Sequence, residues 1–130
     1  MVEINADWAA LASPAYCWYE NVASNSEVAA RCGALYNWHA VTSGNLCPDG
    51  WHVPGDSEWK ELEMYLGMSQ EDVDGVDWRG TNEGSKLAGN DELWTDGNLD
   101  SDIEFGTSGF TALPAGYRDS NGSFYSLNEY

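Results

Sequence analysis

Positive charge is what this sequence lacks most. Five bases (Arg31, Lys60, Arg79, Lys86 and Arg118) stand against 22 acids, for a formal net charge of -17 over 130 residues. Nucleic acid is held through a cationic footprint, so the composition excludes it as a partner. Anionic membrane surfaces are disfavoured by the same sign argument. No apolar run nears the roughly 18 residues of a membrane-spanning helix. The start, Met1-Val-Glu-Ile-Asn-Ala-Asp-Trp8, has neither the basic region nor the apolar core of a signal peptide. There is no CxxC pair, no GxSxG, no glycine-rich phosphate loop and no internal repeat, so zinc ribbons, hydrolase elbows and nucleotide cradles have no sequence support.

Aromatics and glycine are abundant instead: seven Trp, seven Tyr, three Phe and 14 Gly, with few Leu or Ile. A chain of this length suits one domain, here residues 1–130, that buries roughly two thirds of its unfolded surface. Large rings with many glycines predict a loop-rich body held by aromatic anchors, and they argue against disorder despite the charge. Cys17, Cys32 and Cys47 fall at intervals of fifteen. One disulfide and a leftover thiol would suit an oxidising compartment, with a fifteen-residue loop closure contributing about 3 kcal/mol. Three buried reduced thiols are the alternative.

The pattern predicts an α+β domain with two short helices, short antiparallel strands and extensive irregular loops. The first helix spans 56–66: Pro54 stops the preceding segment, Gly55 or Asp56 caps it, and Asp56 and Glu58 suit its positive end. Trp59, Leu62 and Leu66 recur at helical spacing, and Gly67 ends the run. The second follows Ser69, with Asp72 as a capping partner and Val73 and Val76 on one face. Residues 15–21 and 33–41 read as short strands or turns, and 79–92 as loop with a helical turn near Ser85–Ala88. From 93 onward turns and short strands alternate. Asn121-Gly122, between Tyr117 and Phe124-Tyr125, signals a hairpin.

Two groups of residues carry candidate binding chemistry. In Asp96-Gly-Asn98-Leu-Asp100-Ser-Asp102-Ile-Glu104 every second side chain offers oxygen, the donor type calcium takes. The run is not an EF-hand, because Ser101 and Thr107 occupy the positions of the required Gly and bidentate Glu. The alternatives to a calcium site at Asp96, Asn98, Asp100, Asp102 and Glu104 are a solvated acidic face or an edge strand with Leu99, Ile103 and Phe105 inward. The second group is Trp94, Tyr117, Arg118, Phe124 and Tyr125 beside late turns, where rings meet acids and amides as they do on sugar-binding surfaces, the alternative being that these aromatics are core anchors of a small loop-rich domain. His39 and His52 have aromatic neighbours and read as satisfied core histidines. No residue is assigned a catalytic role.

The strings ALYNWHAV, LCPDGWHVPGDSEWKELEMYLG, DWRGTNEGSKLAG and EFGTSGFTALPAGYR resemble the Fibrobacter succinogenes major paralogous domain family along nearly the whole chain. Trp51-His-Val-Pro-Gly-Asp-Ser-Glu-Trp59 also resembles a segment of formylglycine-generating enzymes, which implies a C-type-lectin-like fold. The family implies a secreted or surface bacterial domain, often lipoprotein-attached, and supplies no catalytic residue. The paired reactive cysteines of the formylglycine enzymes have no counterpart here. Gly55 stands where the family has a Ser or Thr cap, and Cys32 where an aromatic is usual, so no Cys17–Cys32 bridge is implied. Members begin earlier and continue past Tyr130, so the resemblance implies either an open sheet edge and a Cys47 without its usual partner, or a naturally shortened member that repacks.

These readings together predict a non-enzymatic ligand-binding or adhesion domain for a glycan or protein ligand, calcium-assisted through the acidic stretch. The alternatives are a structural subunit that self-associates through a sheet edge or a free cysteine, and a relative of the formylglycine-generating oxidases.

Overall fold

The computed structural model describes Met1 and residues 4–129. Its backbone divides into two compact units, Met1–Val53 with Pro114–Tyr130, and Pro54–Leu113. Each combines short helical segments with turns, and ordered strands are no longer than two residues.

The first unit contains helices α1 (Asn5–Ala9), α2 (Glu27–Cys32) and α3 (Trp38–Val41), and four strands. Strands β1 (Tyr16–Cys17) and β2 (Leu35–Tyr36) pair antiparallel, as do β3 (Tyr117–Arg118) and β4 (Phe124–Tyr125). Ser26 caps α2 by accepting from the Ala29 amide, and Asn37 caps α3 by accepting from Ala40. Asn37 also ties back to the 13–15 segment, accepting from the Ala15 amide and donating to the Ser13 carbonyl. Trp8, Cys17 and Tyr19 are buried at the centre. Arg118 completes that centre, its guanidinium 4.4 Å from the Trp8 ring and 4.7 Å from the Phe124 ring.

The predicted hairpin forms, with a different turn from the two-residue Asn-Gly kind. Asp119 and Gly122 close it, and Gly122 alone in the turn takes a positive φ, of 87°. That is a turn followed by a left-handed glycine, the longer of the common hairpin solutions. The Asp119 carboxylate selects it by accepting from the amides of Asn121 and Ser123.

The second unit holds α4 (Asp56–Tyr65), α5 (Gln70–Val73) and α6 (Glu83–Leu87). Helix α4 matches its predicted span to a residue. Gly55 starts it with its own amide held by the Glu58 carboxylate at 2.8 Å, and Gly67 turns the chain at φ 118°. Ser69 caps α5 through the Asp72 amide. Leu66, Met68, Val73 and Ala88 are buried here.

Several expectations change. Six α-helical segments are described where two were expected. Val76 is exposed, because α5 ends after one turn and never carries it to the buried face. The predicted strands past residue 93 are absent among the described residues until β3, apart from one isolated bridge between Ala88 and Ala112. Ile103 is 97% exposed, which removes the inward-facing edge strand. Both histidines are exposed, because the neighbouring Trp38 and Trp51 are themselves at the surface. No disulfide joins the three cysteines, of which only Cys17 is buried.

Candidate functional site

The segment Trp78-Arg-Gly-Thr-Asn-Glu-Gly-Ser85 builds a chemically varied concavity. Asp77 and Gly80 both adopt left-handed backbone, at φ 65° and 80°, so the chain bends on either side of Trp78. Glycine suits the φ of 80° at position 80, and a Cβ there would lie 2.5 Å from both Glu83 Oε2 and Met68 Cε, so those two side-chain ends would have to move. The Glu83 carboxylate is buried and accepts from the Thr81 amide at 2.7 Å, which fixes the turn leading into α6. Trp78 is left 85% exposed.

Beside it opens a cleft of about 360 Å³, walled by Trp78, Asn82, Asn98, Leu99 and Asp102 among others. This volume lies at the small end of the roughly 300–1,000 Å³ of small-molecule sites. Both nearby cations are engaged. Arg79, which also lines the cleft, donates to both oxygens of Glu63 at 3.0 Å. Lys86 donates to the Leu66 carbonyl at 2.8 Å and lies 3.5 Å from Glu104. Asn82 donates to Glu104 at 2.8 Å and approaches both Asp102 oxygens at 3.4 Å. Asp102 Oδ1 also accepts from the Glu104 amide at 2.8 Å, whereas the 3.4 Å approach of Asn82 is the donor seen at Oδ2.

Helix α6 anchors one side of the cleft. Its last carbonyls, on Ser85, Lys86 and Leu87, accept from the amides of Gly106, Ser108 and Ala112. This satisfies backbone groups that a helix C-terminus otherwise leaves to water. The Trp94 indole donates to the Gly89 carbonyl at 3.0 Å, fixing the near end of the acidic loop. Gly89 is required, since a Cβ would lie 2.7 Å from Thr111 Cα.

The five oxygen-bearing residues of 96–104 do not converge. Asp100 accepts from the Gly97 amide, Asp102 from Glu104, and Glu104 pairs with Lys86 and Asn82. Asp96 is exposed. Among the described residues no group of three or more His, Cys, Asp or Glu is placed to hold a metal ion. Two of the five, Asn98 and Asp102, face the cleft.

The predicted aromatic group divides. Tyr117 and Tyr125 form an exposed stacked pair across the hairpin, centroids 5.6 Å apart and 27° between planes. Arg118 and Phe124 occupy the alternate positions and pack inward: Phe124 lies 5.3 Å from Tyr19, and Arg118 donates to the Gly122 carbonyl and to Asn5. Trp94 is half-buried in the second unit. Trp78 and Asn82 belong to neither of the two groups that the sequence offers. Their signal was a tryptophan with charged neighbours in a glycine- and asparagine-rich turn, where no apolar partner recurs at helical spacing.

A smaller cavity of about 230 Å³ in the first unit is lined by Cys47, Trp51, His52 and Thr42. Among the described residues, no helix is long and apolar enough to cross a membrane.

Short helices, two-stranded antiparallel ladders and long connecting loops define a small mixed α+β protein. The model of the Fibrobacter succinogenes major domain matches residues 2–130, and the chain belongs to that family. No curated protein and no solved structure matches the chain.

Proposed function

We propose that this chain is a non-enzymatic, C-type-lectin-like binding domain of a secreted or surface bacterial protein, and that it takes a glycan in the Trp78 cleft. One observation carries the reading: a tryptophan 85% exposed shares a cleft with two amides and a carboxylate. An indole offers a flat face for sugar C–H groups, while Asn82, Asn98 and Asp102 offer the donors and acceptors that hydroxyls need. The lectin-like architecture rests on the resemblance of Trp51–Trp59 to formylglycine-type segments, and the location on the family resemblance.

Calcium is an auxiliary in this proposal. Asp100 and the Oδ1 of Asp102 accept from amides of their own loop and Glu104 is held by Asn82 and Lys86, so the cleft can bind without a cation. A glycan array followed by titration calorimetry, in calcium and in chelator, tests both statements. Binding of an oligosaccharide in chelator, weakened about tenfold or more (~1.4 kcal/mol) by Trp78→Ala and unchanged by Tyr117→Ala, is expected. If no glycan binds, or Trp78→Ala binds like the parent, the reading fails.

A second reading is a structural subunit of a surface assembly. Among the described residues β1 and β2 form a two-stranded sheet, and the edge of such a sheet is where a further strand can add. A concentration-independent monomer in light scattering would remove it. Copper-dependent oxygen consumption would instead favour the oxidase relative.

A further inference from the structure

The charges around the cleft restrict which glycan fits, and this inference rests on the glycan reading above. We infer that the cleft selects a saccharide bearing a free amine, a hexosamine unit without its acetyl group, over neutral sugars, and rejects uronic or sulfated ones. Asp102 is half-buried on the cleft wall, and the donor seen at its Oδ2 is Asn82 at a long 3.4 Å. That oxygen is an acceptor with capacity to spare, and an ammonium is the strongest sugar-borne donor that could meet it.

An acidic sugar finds no cation to pair with. Arg79 is clamped by both oxygens of Glu63, and Lys86 is held by the Leu66 carbonyl and Glu104. Releasing either would break an interaction already made. The net charge of -17 adds a long-range field that attracts cationic ligands and repels anionic ones. Trp78 supplies ring stacking to any of these sugars, so the indole sets affinity and Asp102 sets choice.

The test uses four oligosaccharides of equal length: chitosan, chitin, cello-oligosaccharide and oligogalacturonate, titrated into the whole chain by calorimetry. Chitosan should bind about three- to five-fold tighter than the two neutral sugars, the yield of one exposed ion pair. Oligogalacturonate should bind weakest. In 1 M salt, where screening acts within about 3 Å, the chitosan preference should disappear while neutral binding stays. Asp102→Asn keeps an oxygen for the Glu104 amide and removes the charge, so the ratio of chitosan to neutral-sugar affinity should fall to about one whatever the neutral affinity becomes; Trp78→Ala should weaken all of them. Neutral sugars binding through Trp78 with no amine preference would overturn this inference and leave the glycan reading standing. Oligogalacturonate binding as tightly as chitosan, or a preference that survives Asp102→Asn, overturns it as well. Failure of all four sugars to bind removes both.

Discussion

Replacing Gly116 by alanine should destabilise the first unit far more than the same change at Gly109 destabilises the second, although both glycines adopt left-handed backbone. Their φ values are 63° and 72°. Both substitutions therefore incur the left-handed penalty for an L-residue, about 1–2 kcal/mol. Around Gly109 no atom lies within 4 Å of the added Cβ, so that penalty is the whole cost. At Gly116 the methyl would sit 2.6 Å from the Tyr125 carbonyl oxygen, 2.7 Å from the Tyr19 ring and 3.0 Å from the Leu127 amide. Two of these are backbone atoms and the third belongs to a buried ring, so none yields without moving β4 or the core. Overpacking of this kind adds about 1–3 kcal/mol, for a total of about 2–5. With a urea slope near ~1.5 kcal/mol/M, Gly109→Ala should lower the midpoint by about 1 M and Gly116→Ala by about 1.5–3 M. Tryptophan fluorescence follows both transitions. Equal midpoints for the two variants would refute the steric part of the argument.

Four further outcomes are expected. Arg118→Ala loses two charge-assisted hydrogen bonds and two ring faces, about 3 kcal/mol together, with Arg118→Lys retaining part; thermal melts measure it, and a loss under 1 kcal/mol would show that the sandwich is incidental. Burial pushes the Cys17 thiol above its ordinary value of 9.0, opposed in part by Arg118. The folded chain thus keeps this proton longer than the unfolded one. Its stabilisation is full below the unfolded value and drains away as pH rises through the folded one, so the urea midpoint should fall more steeply above pH 9 in the parent than in Cys17→Ala. A thiol reagent should label Cys32 and Cys47 ahead of Cys17, and simultaneous labelling would contradict its burial. Lys60 and Gln70 hold the Asp74 carboxyl below its ordinary 3.8. Its contribution is present above the unfolded value and is lost as pH falls through the folded one, so Asp74→Asn should flatten the acid limb of the stability profile; an unchanged limb counts against the pairing.

What could be read from the sequence was whatever local chemistry decides. Helix α4 announced itself through Pro54, two acids at its start, apolar spacing and Gly67, and α5 through the Ser69–Asp72 pair. The hairpin followed from Asn121-Gly122, although the Asp119 carboxylate chose its turn. Helices α1, α2 and α3 were invisible because four to six residues make less than two turns, too short for periodicity to register. Their caps, Ser26 and Asn37, resemble ordinary loop residues until the chain beside them is placed. The candidate site was half legible. Asn98 and Asp102 were picked for their oxygens, and the structure puts them in a cleft. Trp78 escaped notice because sequence cannot tell an exposed ring from a buried one: Trp8 and Trp78 each lie beside an aspartate, yet one is core and the other surface. The burial expected of both histidines failed for that same reason.

The anchoring at α6 has a consequence for how such a cleft changes over time. Trp94 binds the Gly89 carbonyl and Gly106 binds that of Ser85, so the chain leaves and rejoins the scaffold at one short stretch of helix and its exit. Residues 95–105 between those pins hold their shape by their own hydrogen bonds, such as Asp100 to Gly97 and Phe105 to the Asp102 carbonyl. A compact loop closed in this way behaves as a cassette. Its length and side chains can be exchanged while these two bonds to backbone carbonyls persist, at the loss of the side-chain ties from Asn82 and Lys86 to Asp102 and Glu104. The wall that carries Asn98 and Asp102 can thus be rewritten on the same backbone pins.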